Sequence, residues 1–338
     1  MSEISTPSLQ LLTMVNGYQV SQAISTAAEL RLADALAEGP RSAVDVAAVV
    51  GAHPDALHRL LRALASAGLF RESEDGLFEL TALGQPLRSD VPGSVRGWAE
   101  FVGRPYHRAA WAALPHSIRT SEIAFDHIYG SSVWAYRQKL PEESAIFDAA
   151  MQSLTGMMLP ALLDSYDFGR FRRLADLGGG NGTLLAAILA RYHSPRGVLF
   201  DLAHVVADSG RVFEAAGVAD RYEAVAGSLF ESVPPGCDGY MLKSVILDCT
   251  DEQSIEIFER CRAAMAPDAT VLVIARSVPG PNEGAAIKFS DLNMMVNNGG
   301  RERTRQEYAM LFAASGLGMT GVVEVPGGWA VIEGQRRS

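Results

Sequence analysis

Between residues 8 and 37 the apolar positions Leu11, Leu12, Val15, Tyr18, Val20, Ala23, Ala27, Leu30 and Leu32 recur at three- and four-residue steps. That spacing predicts a helix over 8–37. Around Leu12-Thr13-Met14-Val15 the pattern is apolar on every side. A helix of that kind needs burial on more than one face, in a core or against another subunit. Residues 42–83 read as a compact module. Ser42 caps a helix that runs through Val50, and Pro54 starts a second helix with Leu57, Leu60, Leu61, Leu64 and Leu69 along one face. Gly68 ends it. Leu69-Phe70-Arg71-Glu72 and Leu77-Phe78-Glu79-Leu80 then flank the turn signal Glu74-Asp75-Gly76. Helix, helix, hairpin is a winged-helix pattern.

Residues 94–168 read as further helices joined by loops. They are rich in aromatics and methionines, among them Trp98, Phe101, Tyr106, Trp111, Phe147, Met151 and Met157. Such a stripe suits a core and also suits an apolar ligand. From residue 170 onward the period changes. Strands are predicted at 173–177, 197–201, 222–226, 239–244, 270–275 and 319–325, with a last one through Trp329–Glu333. Helices at 184–192, 204–216, 252–265 and 304–315 alternate with them. This alternation predicts an α/β fold, a doubly wound, mostly parallel sheet with helices on both faces. The expected divisions are 1–93, 94–168 and 169–338.

The composition supports a folded enzyme-sized body. The 338 residues are 48% hydrophobic and 20% charged, enough to bury a sizeable core. The net charge of −10 argues against nucleic acid, because phosphate binding needs clustered cations. The second helix of the wing carries only His58, Arg59 and Arg62, so the wing is expected to be structural or dimerising. Cys237, Cys249 and Cys261 form neither a Cys-x-x-Cys pair nor an even framework, which points to thiols in a reducing cytoplasm. No basic-then-apolar leader is visible, and no run of about 18 apolar residues is apparent, so neither a signal peptide nor a membrane span is expected.

The densest chemistry lies at Leu174-Ala175-Asp176-Leu177-Gly178-Gly179-Gly180-Asn181-Gly182-Thr183. An apolar strand runs into four glycines, a helix follows, and the next strand, Gly197–Phe200, ends in Asp201. Glycine admits a ligand close to the backbone, and a helix N-terminus offers free N–H groups. An acid about 20 residues on can hold the two hydroxyls of a ribose. The pattern predicts a nucleoside-bearing cofactor at the carboxyl ends of the strands, where Gly178, Asp201 and Lys243 fall. The seven histidines lack ligand spacing with acids or cysteines, so no metal is expected. There is no Gly-x-Ser-x-Gly elbow of a serine hydrolase. A nicotinamide dehydrogenase is the other cofactor reading of the turn, disfavoured by the order of elements after Asp201.

The chain resembles the plant-type small-molecule O-methyltransferases, and most closely the bacterial branch that decorates polyketide and aromatic natural products. The resemblance is carried by Asp176–Gly182, Phe200-Asp201-Leu202, Leu242-Lys243-Ser244, Asp248, Gly299-Gly300-Arg301-Glu302-Arg303-Thr304, Glu307-Tyr308 and Ser315-Gly316-Leu317. It covers nearly the whole chain. It implies S-adenosylmethionine as cofactor, a homodimer through the N-terminal helices, a small-molecule substrate, and a cleft built with residues 94–168. By position it implies that Gly178 and Gly180 let the methionine portion approach and that Asp201 holds the ribose. Ser228 and Leu229 contact adenine, with Cys249 packing beside them, and Lys243 holds a carbonyl or the cofactor edge. Met151, Leu247, Met294 and Asn298 line the acceptor cleft, and Asp248, Glu302 and Glu333 are the acids near the reacting centre.

The sequence departs from the family at one cluster of loops. Leu247 stands where the family has its catalytic histidine, Cys249 where it has a tryptophan against adenine, and Ser228 where it has an acid. Leucine accepts no proton, whereas histidine suits the task because it titrates near neutrality. Three readings follow. Methyl transfer persists through proximity and alignment without a strong base. Alternatively, the cleft is repurposed for hydroxylation, cyclisation or a pericyclic step. A non-catalytic binding role is the third. His107 and His127 are the histidines in the helical region that could replace the base.

Overall fold

The computed structural model describes residues 6–337. The chain forms two compact units. One comprises the residues up to Arg108 with Arg137–Met157; the other comprises Ala109–Tyr136 with Met158–Ser338.

In the first unit the stretch expected as one helix is three: Pro7–Val15, Gly17–Glu29 and Leu32–Ala35. The first break falls at Asn16, next to Gly17, where helix propensity is weakest. The second falls at Arg31, whose φ of +53° lies in the left-handed region and cannot continue a right-handed helix. The first helix buries none of its residues, while the second buries Ser25, Ala27 and Ala28. The wing follows as read. Ser42 accepts from the Asp45 amide at 3.2 Å at the start of Ala43–Val50, and Pro54 opens Pro54–Ser66. Strands β1 (Arg41–Ser42), β2 (Phe70–Glu72) and β3 (Leu77–Leu80) form an antiparallel sheet in the order β1-β3-β2. Leu57, Leu61, Leu64, Phe70 and Phe78 close its core. Part of the aromatic stripe is used to bury a cation. The Arg137 guanidinium lies 3.8 Å from the Phe147 ring centroid and its Nε donates to the Tyr106 hydroxyl at 3.3 Å.

The second unit holds a seven-stranded sheet of β4 (Arg173–Leu177), β5 (Arg196–Asp201), β6 (Tyr222–Ala226), β7 (Gly239–Lys243), β8 (Thr270–Arg276), β9 (Leu317–Val325) and β10 (Trp329–Arg336), in the order β6-β5-β4-β7-β8-β10-β9. β4 to β8 pair in parallel, and β10 is antiparallel to both β8 and β9. Side chains alternate between two cores because successive strand residues point to opposite faces. Val271, Val273 and Ala275 enter one core; Leu272 and Ile274 enter the other. The helix expected at 204–216 is split into Ala203–Val206 and Gly210–Ala215 at Ser209-Gly210. A helix not foreseen, Ala285–Asn297, follows Gly284. Two helices start with reciprocal caps, Thr250 with Gln253 and Thr304 with Glu307.

One described helix, Pro141–Ser165, is long and apolar enough to cross a membrane by length and composition alone, although polar residues interrupt it throughout. Its Met158 and Leu162 are packed in the core of the second unit, which accounts for part of that apolar character.

Candidate active site

The chain enters the sheet at β4, builds outward to β5 and β6, and crosses back to β7 and β8. The switch point lies between β4 and β7, where an open α/β sheet leaves a crevice at its carboxyl ends. Gly178 directly follows β4, Asp201 ends β5 and Lys243 ends β7, so all three stand side by side on neighbouring strands.

The glycine turn is shaped for close approach. Gly178 has φ +68°, and a Cβ there would sit 2.8 Å from a Val245 methyl. Gly180 has φ +62°, and a Cβ there would meet nothing within 4 Å. Its amide donates to Asp201 Oδ2 at 2.9 Å, while Oδ1 accepts from the Leu202 amide at 2.7 Å. The Asp201 carboxylate is thereby fixed in orientation and keeps lone pairs for further donors. The amino end of the Thr183–Arg191 helix abuts the turn, with Asn181 Oδ1 accepting from Thr183 N and Oγ1. Ser228 Oγ accepts from the Phe230 amide at 3.3 Å, and Leu229 lies 3.7 Å from the Cβ position of Gly178. A glycine turn with open space at Gly180 and a fixed carboxylate beside it fit a nucleoside cofactor.

Leu247 sits in a short 3-10 turn, Ile246–Asp248, just beyond β7. Its carbonyl accepts from the Arg301 amide at 2.7 Å. Gly300 lies so close that a Cβ would be 2.1 Å from that carbonyl. Asn298 closes the opposite side: its Nδ2 donates to Asp248 Oδ1 at 2.6 Å and its Oδ1 accepts from the Gly300 amide at 2.9 Å. Met294 is one turn back, its sulfur 3.8 Å from the Asn298 amide. Leu247, Asp248, Met294 and Asn298 are thus gathered at one place.

Arg303 organises this loop, and it was not picked out as a site residue by its sequence. Only 1% exposed, it donates to the carbonyls of Ile246 at 2.7 Å and Cys249 at 2.8 Å and to Asp251 Oδ1 at 2.8 Å. An arginine in a charged block reads as a surface residue; its burial follows only from the packing. Trp329 was missed as well. Lys243 Nζ and the Arg276 guanidinium lie 5.9 and 5.7 Å from its ring centroid.

Of the other expected site residues, Glu333 lies away from this turn. Glu333 pairs with Leu272, four residues along β10 from Trp329, which pairs with the site-side end of β8 at Arg276. It faces Arg170 at 2.8 Å and accepts from the Tyr166 hydroxyl at 2.5 Å. It shares a hollow with Asp238, Asp268 and Thr270 toward the amino ends of the strands, so the antiparallel run of β10 carries it away from Leu247. Glu302 is 4% exposed, with Oε1 accepting from Ser290 at 2.8 Å and 3.5 Å from Arg276. Burial pushes its carboxyl up, opposed by Ser290 and Arg276. Cys249 is buried in the sheet core, and burial lifts its thiol to about 12, so it packs as a neutral group. Met151 belongs to the first unit and is half-buried on Pro141–Ser165. His107 also belongs to the first unit, buried 4.8 Å from the Phe101 ring. His127, in the second, stacks at 3.8 Å on His116, which pairs with Glu122. Among the described residues no three His, Cys, Asp or Glu gather as a metal site.

Comparison with known proteins gives a consistent picture. The O-methyltransferase domain family matches residues 111–318, and the O-methyltransferase dimerisation domain matches residues 12–90. The phenazine O-methyltransferase PhzM of Lysobacter antibioticus is 39% identical over 96% of this chain and 94% of its own. The aclacinomycin 10-hydroxylase RdmB of Streptomyces purpurascens is 33% identical, covering 96% of this chain and 89% of its own. A solved O-methyltransferase from neocarzinostatin biosynthesis, in complex with S-adenosylmethionine and 2-hydroxy-5-methyl naphthoic acid, superimposes with a TM-score of 0.79. It is 33% identical and covers 94% of this chain and 96% of its own.

Proposed function

The chain belongs to the O-methyltransferase family, and from that premise we propose that it moves a methyl group from S-adenosylmethionine to a hydroxyl of an aromatic or polyketide-type small molecule of secondary metabolism, without a histidine base. The observation that carries the cofactor assignment is the Asp201–Gly180 bond at 2.9 Å beneath an open glycine turn. Gly178 and Gly180 admit the methionine portion, Asp201 takes the ribose hydroxyls, and Ser228, Leu229 and Lys243 bound the rest of the cofactor. The cofactor supplies an activated methyl on a cationic sulfur.

The chain's own residues then position and dry the acceptor. Leu247, Met294 and Asn298 form an apolar wall with one amide, which aligns the acceptor oxygen by exclusion rather than by proton abstraction. As the oxygen–carbon bond forms and the carbon–sulfur bond breaks, the electron pair stays on sulfur. The hydroxyl proton goes to the Asp248 carboxylate or to water. Asp248 is the acid next to Leu247 in sequence, and Asn298 donates to its Oδ1. Glu302 meets Ser290 and Arg276 through Oε1, while its buried Oε2 accepts no hydrogen bond.

The second reading, a cleft repurposed for a non-methylating step such as hydroxylation, is favoured by one observation: a relative named as a hydroxylase is 33% identical across nearly the whole chain. Labelled-methyl transfer to a panel of phenols, with calorimetric titration of S-adenosylmethionine and its demethylated product, separates the readings. Transfer supports the first. Binding without transfer to any acceptor supports the second.

The protein is further read as a homodimer. Leu9, Leu11, Leu12, Met14 and Val15 of the first helix are all more than half exposed, and the last three fall within the segment matched by the dimerisation domain. A contiguous apolar surface of that kind marks an interaction face.

A further inference from the structure

The Ala285–Asn297 helix carries Met294 of the acceptor wall, and the residue before Met294 is a half-buried asparagine, Asn293. Three hydrogen bonds meet on it. Trp111, in the Pro105–Ala112 helix, donates from its indole Nε1 to Asn293 Oδ1 at 2.9 Å. Asn297, one turn further along, donates from Nδ2 to the same Oδ1 at 2.9 Å and to the Asn293 backbone carbonyl at 3.0 Å. Both lone pairs of Oδ1 are thereby taken. An indole N–H can only donate, so the atom facing Trp111 is the amide oxygen of Asn293. A backbone carbonyl can only accept, so the atom of Asn297 facing it is the amide nitrogen. Neither amide can flip without setting donor against donor or acceptor against acceptor.

This chain of polarity has two consequences. Asn297, 5% exposed, is left with a buried Oδ1 that accepts nothing, a cost that an apolar side chain would avoid. Asn293 is left with an Nδ2 that neither Trp111 nor Asn297 uses. That nitrogen has no hydrogen-bond partner among the described residues and is not one of the buried orphan atoms, so it is open to a ligand. Two N–H donors are thus held in a fixed direction, one residue from Met294.

We propose that Asn293 is a specificity-determining residue for the acceptor: its Nδ2 donates to a carbonyl-type oxygen or a ring nitrogen that the aromatic acceptor carries besides the hydroxyl to be methylated. The inference rests on the acceptor wall read above and narrows the class of substrate it takes. Trp111 is a positioning residue, since it acts through Asn293. A donor held rigidly in place rejects a ligand that lacks the matching acceptor, because its N–H is then desolvated without a bond. An amide able to flip would take donors and acceptors alike.

The test is equilibrium binding of hydroxyarenes to the full chain in saturating S-adenosylhomocysteine, read by calorimetry. Hydroxyquinolines are compared with naphthols of matching hydroxyl position, which have a C–H in place of the ring nitrogen, and with aminonaphthols, which bring a donor. At least one hydroxyquinoline should bind about tenfold more tightly than its naphthol. Asn293→Leu should erase that preference. Asn293→Asp should keep the bonds from Trp111 and Asn297 and turn an acceptor outward, moving the preference to the aminonaphthols. It also serves as the second arm should Asn293→Leu fail to fold. Trp111→Phe should shrink the preference, because the Asn293 amide is released to flip; a tie that served helix packing alone would leave the ratio unmoved. A ratio near one in the parent, a ratio that survives in Asn293→Leu, or no binding by the whole panel would overturn the inference. Labelled-methyl transfer is read in parallel. The expected binding preference with no transfer would sink the methyl-transfer reading and leave the role of Asn293 standing.

Discussion

Asn298 Nδ2 donates to Asp248 Oδ1 at 2.6 Å, and this single bond ties the end of the Ala285–Asn297 helix to the turn that carries Leu247. The same side chain accepts from the Gly300 amide. One amide thus sets the spacing between the Met294 end of that helix and the turn that carries Leu247.

Asn298→Ala should therefore slow methyl transfer more than it weakens cofactor binding. A hydrogen bond to a charged group is worth about 1.5–3 kcal/mol, so kcat should fall by at least about tenfold. Steady-state kinetics beside calorimetry with S-adenosylmethionine reads both. An unchanged kcat would show that the bond holds nothing the reaction needs.

Arg303→Lys should unfold the Ile246–Asp251 loop locally and cost stability as well. Arginine reaches two carbonyls and a carboxylate with one planar fork, which a single ammonium cannot reproduce. Each buried carbonyl left without a donor costs about 1–3 kcal/mol. Chemical denaturation should record a loss of about 2 kcal/mol, and a midpoint equal to the parent's would rule the clamp out.

Asp201→Ala should weaken S-adenosylmethionine by about 2–3 kcal/mol. The loss has two sources, the ribose contact and the Gly180 amide that now lacks its acceptor. Calorimetry is the measurement, and parent-like affinity would place the nucleoside elsewhere.

Leu247→His tests the missing base. If methyl transfer runs on the acceptor's own acidity, the parent's rate should depend steeply on phenol pKa. The histidine should then raise transfer to weakly acidic phenols, by up to about 10²–10⁴-fold where the geometry allows. Assays of both proteins against phenols of graded pKa check this. No transfer by the parent to any acceptor, with no gain in the variant, would favour the repurposed reading.

Leu12→Glu with Val15→Glu should dissociate the homodimer, since it puts charge into the exposed apolar face of the first helix. Sedimentation velocity at micromolar concentration should show a dimer for the parent and a smaller species for the variant. A monomeric parent would remove the dimer from the proposal.

Much of this protein was legible in its residues because its signals are local. The continuous apolar run Val271–Ala275, the caps at Ser42 and Pro54, and the glycine turn followed by Asp201 each act within a few positions. Strand, turn and helix could be placed from them alone, and so could the side-by-side standing of Gly178, Asp201 and Lys243.

What lay beyond the sequence depends on contacts between distant segments. The antiparallel return of β10 decided that Trp329, and not Glu333, stands at the site end of the sheet. Packing decided that Arg303 is buried and holds Ile246 and Cys249, more than 50 residues before it. The break at Arg31 hinges on a left-handed backbone that no periodicity announces. The orientation of the Asn293 amide is set only when Trp111, 182 residues before it, packs against it. Burial and hydrogen-bond satisfaction are properties of the assembled neighbourhood, so no pattern along the chain encodes them directly.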